Sequence, residues 1–187
     1  MADVNFDRPA AKQERQAAPK GDAPDAADVP DTGLYDLVEL LFFAYRDFTG
    51  DPDAILAEYG FGRAHHRVLH FVNRNPGLSV AELLDILKIT KQSLGRVLKQ
   101  LVDEGFIYQQ EGPSDRRQRL LFPTAKGRSL ALGLAIPQFA RFAAAIAATS
   151  EADADATRRF LMAMVDERER DRVAALLKGD QGAHEDR

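Results

Sequence analysis

Two capped helices separated by a very short turn constrain the fold of this chain more than any other feature. Ser79-Val80-Ala81-Glu82 has the form of a capping box, with a hydroxyl at the N-cap and a carboxylate three residues later. Only Lys88 and Ile89 separate the end of that helix from Thr90, which can cap a second helix. Leucines and valines recur at helical spacing in both segments, so each helix has one apolar side. This arrangement predicts a helix-turn-helix.

A basic hairpin is predicted directly after the second helix. Gly105 can end that helix, and residues 106–110 and 119–122 have the composition of short strands around a polar loop. Thr124 can cap the helix that follows. Together with the helix-turn-helix, the hairpin predicts a mainly α (α+β) fold of the winged helix-turn-helix type.

Long helices are predicted on both sides of this core. An apolar stripe at helical spacing predicts a first helix, ended by Gly50-Asp51-Pro52, and a second helix follows over residues 63–73. The stripe consists of Leu34, Leu37, Val38, Leu41, Phe42 and Tyr45. We expect a kink or break at Pro137, a last helix over residues 153–178, and a core position for Phe139, Phe142 and Phe160.

The domain organisation follows from these patterns. The N-terminal segment is rich in Ala, Asp, Pro and Gln, so it lacks the apolar surface needed to offset its ordering entropy. The terminal helices carry more apolar surface than one small lobe covers, which favours a homodimer. The predicted segments are a disordered tail (1–30), a domain (31–178) with its winged core at about 63–123 and dimerisation helices at about 33–49 and 124–178, and a loose C-terminus (179–187).

Charge is unevenly distributed along the chain. The formal net charge is −4, yet the segment from Lys88 to Arg128 contains nine basic and four acidic residues. That segment therefore carries +5 and the remainder −9. A basic segment on an acidic body is expected when one face of a protein meets phosphates.

The outer side of the second capped helix presents hydrogen-bond donors suited to a DNA major groove. Arginine can donate two hydrogen bonds to guanine, and glutamine can pair similarly with adenine. A basic helix face alone is more often simply solvated. The arginines of the adjacent hairpin repel one another unless an anion approaches, so the two features together favour double-stranded DNA as the partner. The candidate DNA-binding residues are Thr90, Lys91, Gln92, Ser93, Arg96, Lys99, Asp115, Arg116, Arg117 and Arg119.

The stretch from Ser79 to Gly127 resembles the winged helix-turn-helix of the MarR family of bacterial regulators. Asp115-Arg116-Arg117 matches the family's D-x-R wing motif, and residues 123–127 are similar to its L-T-x-x-G segment, with Phe122-Pro123 in place of the usual leucine. The resemblance implies an obligate dimer on a pseudo-palindromic operator. It also implies that Arg117 enters the minor groove, oriented by Asp115, while the second capped helix faces the major groove.

The resemblance further implies a small-molecule effector in a cleft between the DNA-binding lobe and the dimer helices. Phe42, Tyr45, His65 and His66 are the candidate effector residues. His66 and His70 have a spacing that metal ligands use on a helix, but structural histidines are the better interpretation.

Other function classes find less support in the sequence. The chain has no cysteine, no phosphate-binding glycine loop and no recognisable catalytic motif, so we predict no cofactor, no metal and no enzymatic activity. No apolar run reaches the roughly 20 residues that span a bilayer, so we expect a cytoplasmic protein without membrane contact. The alternatives are a winged-helix protein-interaction module without DNA binding and a small enzyme.

Overall fold

A computed structural model describes residues 33–178 of the chain. The predicted tail, the first two residues of the predicted domain and the predicted loose C-terminus lie outside these residues. The chain divides into two compact units, with the boundary after Leu40. The described part of the first unit is the opening of a helix whose side chains are solvent-exposed, and the second unit contains the rest of that helix and all the other described elements.

Seven α-helices and three strands make up the described residues. In chain order they are α1 (Leu34–Ala57), α2 (Arg63–Arg74), β1 (Leu78–Ser79), α3 (Val80–Leu87), α4 (Lys91–Asp103), β2 (Ile107–Glu111), β3 (Arg119–Pro123), α5 (Ala125–Ala147), α6 (Glu151–Met164) and α7 (Arg170–Lys178), with a 3-10 turn at Glu167–Glu169 before α7.

The helix-turn-helix predicted from its caps is confirmed. Ser79 Oγ accepts the Glu82 backbone N–H at 3.2 Å, and Glu82 Oε2 accepts the Ser79 backbone N–H at 2.8 Å. Thr90 Oγ1 accepts the Ser93 N–H at 3.2 Å and so begins α4. Between the two helices, Lys88 adopts a left-handed conformation with a φ of 50°.

The hairpin is also confirmed, and it belongs to a three-stranded antiparallel sheet of order β1-β3-β2. Leu78 pairs with Leu121, while Ile107 pairs with Pro123 at the other edge of β3. Strand β1 was not predicted from sequence, because two residues are too few to show an alternating pattern. This short strand joins the wing to the start of α3.

One hydrophobic core lies beneath α4 and the sheet. Leu94, Leu98 and Leu101 of α4 are buried together with side chains from α2, α3, β3 and α5. The fully buried members include Val68, Leu69, Val72, Leu83, Phe106, Leu121 and Leu134. The burial of the inner side of α4 leaves its opposite side to face outward.

The prediction that α1 ends at Gly50-Asp51-Pro52 is wrong, because Pro52 lies inside the helix and is buried. A proline at this position frees the carbonyl of Phe48, four residues earlier. The buried Gln138 side chain of α5 donates to that carbonyl at 3.4 Å. A partner distant in sequence thus compensates for the lost helical hydrogen bond.

The predictions for the C-terminal helices need two corrections. Of the kink or break expected at Pro137, the break is wrong, because α5 continues to Ala147. The predicted helix over 153–178 is interrupted between Met164 and Arg170. Arg170 donates to the carbonyls of Ala163 and Val165 at 2.7 and 3.0 Å, and Asp166 Oδ1 accepts the Arg168 N–H at 3.0 Å. These bonds end one helix and begin the next turn.

The terminal helices expose large apolar side chains. Phe139, Phe142 and Phe160 are 58%, 46% and 54% exposed, so the prediction that they form core is wrong for a single chain. Among the described residues, α5 is the one helix long and apolar enough to cross a membrane by length and composition, although only 22% of its apolar window is buried in the protomer. This segment was predicted from sequence as part of the dimerisation helices and not as a candidate span, because charged and polar residues interrupt its apolar run.

Candidate nucleic-acid interface

The outer side of α4 carries the predicted DNA-facing residues in exposed positions. Thr90, Lys91, Gln92, Ser93, Arg96 and Lys99 are all exposed, while the leucines of the same helix are buried. Thr90 Oγ1 also donates to Ser93 Oγ at 2.9 Å, so these two hydroxyls begin the helix as a bonded pair. Lys99 forms an ion pair with Asp103, one turn further along the helix. The N-terminal half of α4 therefore presents polar groups that make few contacts within the chain.

The loop of the wing, residues 112–118, is held by its own backbone. Asp115 Oδ1 accepts the Arg117 backbone N–H at 2.9 Å, and the Asp115 carbonyl accepts the Gln118 N–H at 3.0 Å. Gly112 donates to the Gln118 carbonyl at 3.0 Å. A Cβ on Gly112 would lie 2.8 Å from the Asp115 carbonyl oxygen, so the tight loop requires glycine here. Asp115 thus orients the backbone that carries Arg117, whose side chain remains exposed.

The arginines of the wing differ in whether they form ion pairs within the chain. Arg119 forms an ion pair with Glu111 at 3.3 Å and donates to the Arg116 carbonyl at 2.8 Å. Within residues 33–178, by contrast, no carboxylate forms an ion pair with Lys91, Arg96, Arg116 or Arg117. These four uncompensated cations lie on α4 and in the loop of the wing.

A groove of about 690 Å³ lies between α4 and the first strand of the wing. Gly95 and Lys99 of α4 line it together with Tyr108 and Gln109 of β2. The groove therefore brings one side of α4 next to the first residues of the wing. Tyr108 and Gln109 were not predicted as candidates from sequence, although the unbroken polar run Gln109-Gln110-Glu111 could have indicated an exposed strand.

Packing among residues 33–178 does not require a glycine at position 95. A Cβ at this position would meet no heavy atom within 4 Å. Glycine in a helix interior is less stable than alanine by about 1 kcal/mol, so no contact of the described residues explains this glycine.

The turn between α3 and α4 is tied to the C-terminal elements by a closed set of four charges. Lys88 Nζ lies 2.8 Å from Asp85 and 3.0 Å from Glu169. Arg172 pairs with the same two carboxylates. Hydrogen bonds to Asp85 and Glu169 raise the pKa of Lys88. Lys88 belongs to the basic segment, but its positive charge is compensated by these two carboxylates.

His65 makes contacts within the chain that were not predicted from sequence. Its Nδ1 accepts the Gly62 backbone N–H at 3.1 Å, and its Nε2 lies 3.0 Å from Oε1 of Gln100 on α4. The ring also stacks on Phe61 at a centroid distance of 4.6 Å. Both ring nitrogens are thus engaged within the chain, which makes His65 a structural bridge between α2 and α4.

The other candidate effector residues do not converge on His65. Tyr45 lines an apolar groove of about 350 Å³ with Leu41, Phe48, Phe142 and Leu161, and the groove includes neither Phe42 nor the two histidines. Burial lowers the pKa of His66, which keeps its imidazole neutral at physiological pH. Within the described part of the chain, no group of three or more acidic or histidine side chains is arranged to hold a metal ion.

Comparison with known proteins places these observations in a family. The MarR family model matches residues 59–118, which extend from the start of α2 to the loop of the wing. The chain is 46% identical over 129 residues to the HTH-type transcriptional regulator PetP of Rhodobacter capsulatus, covering 69% of this chain and 78% of that protein. It is 31% identical over 102 residues to an HTH-type transcriptional repressor of Mycobacterium tuberculosis, covering 53% of this chain and 73% of the repressor.

Solved structures share the fold. Streptococcus pneumoniae FabT in complex with DNA matches with a TM-score of 0.62 at 17% identity, over 70% of this chain and 94% of FabT. The transcriptional regulator SlyA matches with a TM-score of 0.59 at 22% identity, over 69% and 91% of the two chains. At these identities the structural likeness establishes the winged-helix fold.

Proposed function

This chain belongs to the MarR family of transcription regulators, and we propose that it acts as a homodimer that places α4 and the wing of each subunit on a DNA operator. The single observation that carries the residue assignment is the grouping of four cations without an ion-pair partner among residues 33–178, Lys91, Arg96, Arg116 and Arg117, on α4 and the adjacent wing of a chain whose net charge is −4. Phosphates supply the opposite charge that these side chains lack within the described residues.

The proposed contacts divide by groove. Arg96 and Gln92 project from α4 toward base edges of the major groove, where both can form paired hydrogen bonds. Arg117, at the tip of the wing, enters the minor groove, whose narrow A·T segments have strongly negative potential. Thr90 and Ser93 face the same major groove from the start of α4, and Asp115 orients Arg117. The remaining cationic candidates contact phosphates and fix the position of the protein; they are Lys91, Lys99, Arg116 and Arg119.

The homodimer is proposed from the exposed apolar side chains of the terminal helices. Leu132, Ile136 and Phe139 of α5 are each more than half exposed, as are Phe160 and Met164 of α6. Soluble monomers rarely expose so many large apolar side chains, and a second copy of the chain covers them at a two-fold interface. This explains the apolar length of α5 without a membrane, in keeping with a regulator that works on DNA in the cytoplasm.

The effector is proposed to be a small apolar or aromatic molecule. Tyr45 lines an apolar groove, and the Arg63 guanidinium lies 5.7 Å from its ring centroid, so Tyr45 joins apolar surface to a cation. Phe42 and His66 remain candidate contacts, whereas both nitrogens of His65 are already bonded. The family and the relatives are transcription regulators rather than enzymes.

We expect Arg96→Ala and Arg117→Ala to weaken DNA binding through different grooves. The probe is a duplex selected by the parent protein from a random-sequence pool, and binding is measured by gel shift at several salt concentrations. Each substitution should cost about 1–3 kcal/mol, with Arg96→Ala relaxing preference at one base position and Arg117→Ala losing more on A·T-rich flanks.

The matched control for both variants is Arg158→Ala. Arg158 lies on α6 and pairs with Asp155, so its removal changes the net charge equally without touching α4 or the wing. If Arg96→Ala and Arg117→Ala bind like this control, the contact assignment is wrong. A parent protein that selects no duplex from the pool would instead favour a protein-interaction module.

Gly95→Ala should change stability and DNA binding in opposite directions. The added methyl group meets nothing among the described residues and raises helix propensity, so the free energy of unfolding should rise by about 0.5–1 kcal/mol. The same methyl group lies at the groove beside the wing and should obstruct close approach of the DNA backbone. Parallel denaturation and gel-shift titrations test this, and equal or stronger DNA binding by the variant would contradict it.

A further inference from the structure

We propose that His65 is a positioning residue for DNA reading, because its bond to Gln100 fixes the rotation of α4 about its own axis relative to α2. The inference rests on the proposed DNA binding by α4. His65 itself lies on α2 and makes its contacts with Gly62, Phe61 and Gln100.

The hydrogen bonds of the imidazole require a single tautomer. The Gly62 backbone N–H donates to Nδ1, so Nδ1 carries no proton. The side-chain amide of Gln100 uses its nitrogen to donate to Glu104 Oε1 at 2.9 Å, which leaves its oxygen to face the ring. His65 Nε2 therefore carries the proton and donates to Gln100 Oε1. Each hydrogen bond in the series Glu104–Gln100–His65–Gly62 therefore joins one donor to one acceptor.

The orientation of the ring is fixed by the core. The His65 ring lies parallel to the Phe61 ring, with an interplanar angle of 5°. Phe61 is buried and contacts the buried Phe106 edge to face at 5.2 Å. Phe106 lies three residues after the end of α4 and belongs to the core that α4 packs on, so the imidazole is held against that same core.

Gln100 is well placed to transmit this orientation to the DNA-facing side of α4. It is half-buried, follows Lys99 and lies one helical turn after Arg96. The leucines beneath α4 bind it by apolar contact, which has little directional preference. A hydrogen bond is directional, so the His65–Gln100 bond can select one rotation of the helix among those that the apolar packing tolerates.

The alternative is that His65 only stabilises the start of α2. Loss of the bond would then lower the free energy of unfolding and leave the choice of DNA sequence unchanged. The discriminating quantity is the specificity ratio, defined as affinity for a selected duplex divided by affinity for the unselected random pool. Stability alone does not alter this ratio for protein that remains folded.

The experiment is a double-variant cycle on this ratio with His65→Phe and Gln100→Leu. His65→Phe keeps the ring stack and removes both hydrogen bonds, whereas Gln100→Leu leaves the start of α2 intact. We expect each single variant to lower the ratio about fivefold, and the double variant to lower it no further, because both remove the same interaction. Affinity for the unselected pool should stay within about twofold, since phosphate contacts dominate it.

The matched control is His70→Phe, the same substitution at an exposed position of the same helix. Additive losses in the double variant would overturn the proposal, because they would mean that Gln100 acts on DNA independently of His65. An unchanged ratio in Gln100→Leu, whose α2 cap is untouched, would also overturn it. Failure of the parent protein to bind either duplex would refute DNA binding itself, a result distinct from both.

Discussion

Gly127→Ala should destabilise the protein by about 3 kcal/mol, the overpacking effect of a methyl group that has no space. A Cβ at Gly127 would lie 2.0 Å from the carbonyl oxygen of Phe106 and 2.9 Å from its carbonyl carbon. Both are backbone atoms, so no side-chain rotation relieves the collision.

The surrounding hydrogen bonds hold this carbonyl in place. Phe106 O accepts the Thr124 backbone N–H at 3.0 Å, while the Thr124 hydroxyl donates to Gly105 O at 2.7 Å and accepts the Gly127 N–H at 3.0 Å. The first turn of α5 is thereby bonded to the junction between α4 and β2. Moving α5 away to admit a methyl group would break these bonds together.

Gly95→Ala is the matched control for this measurement. Both substitutions add one methyl group to a helical glycine, but only Gly127 has a neighbour in the way. In thermal denaturation we expect the midpoint of Gly127→Ala to fall by roughly 6–12 °C while that of Gly95→Ala does not fall. Equal shifts in the two variants would show that α5 does not approach β2 as closely as described.

The parts of the fold predicted from sequence are those that depend on neighbouring residues. The caps at Ser79, Thr90 and Thr124 form as predicted because each hydroxyl binds a backbone N–H three residues away. The Asp115–Arg117 turn is equally local. Such contacts are fixed by spacing alone, so a single sequence suffices to find them.

The features missed depend on partners distant in sequence. Helix α1 continues past Pro52 because Gln138, far along the chain, donates to the carbonyl that the proline frees. His65 resembles a ligand residue in sequence, and only the fold brings Gln100 to its ring. The break after Met164 requires Arg170 to reach back to carbonyls of the preceding helix. No period in the sequence encodes these contacts.

The candidate DNA interface could be predicted from sequence only in part. The outer side of α4 could be predicted because its inner side is marked by regularly spaced leucines and valines. Lys99 and Arg119 form ion pairs with carboxylates, whereas Arg96 and Arg117 do not. This difference depends on where carboxylates lie in the folded chain. The sequence therefore predicts the candidate residues, and the structure shows which of them form ion pairs.

Phe160→Glu should convert the proposed homodimer to monomers. Phe160 is 54% exposed in the protomer and has no place in its core, so a carboxylate there should cost the isolated chain little. At an apolar interface the same carboxylate loses its hydration without gaining a partner, a penalty of several kcal/mol. We expect the dimer dissociation constant to rise about a thousandfold, corresponding to roughly 4 kcal/mol.

Sedimentation at several protein concentrations measures this change, with Phe160→Leu as the control that keeps the position apolar. Circular dichroism should show unchanged helix content, which separates dissociation from unfolding. DNA affinity should fall together with dimerisation, because a monomer contacts one half-site where a dimer contacts two. A Phe160→Glu protein that remains dimeric would place the interface elsewhere on the terminal helices. A parent protein that is itself monomeric would leave the exposed side chains of α5 and α6 without the partner proposed for them.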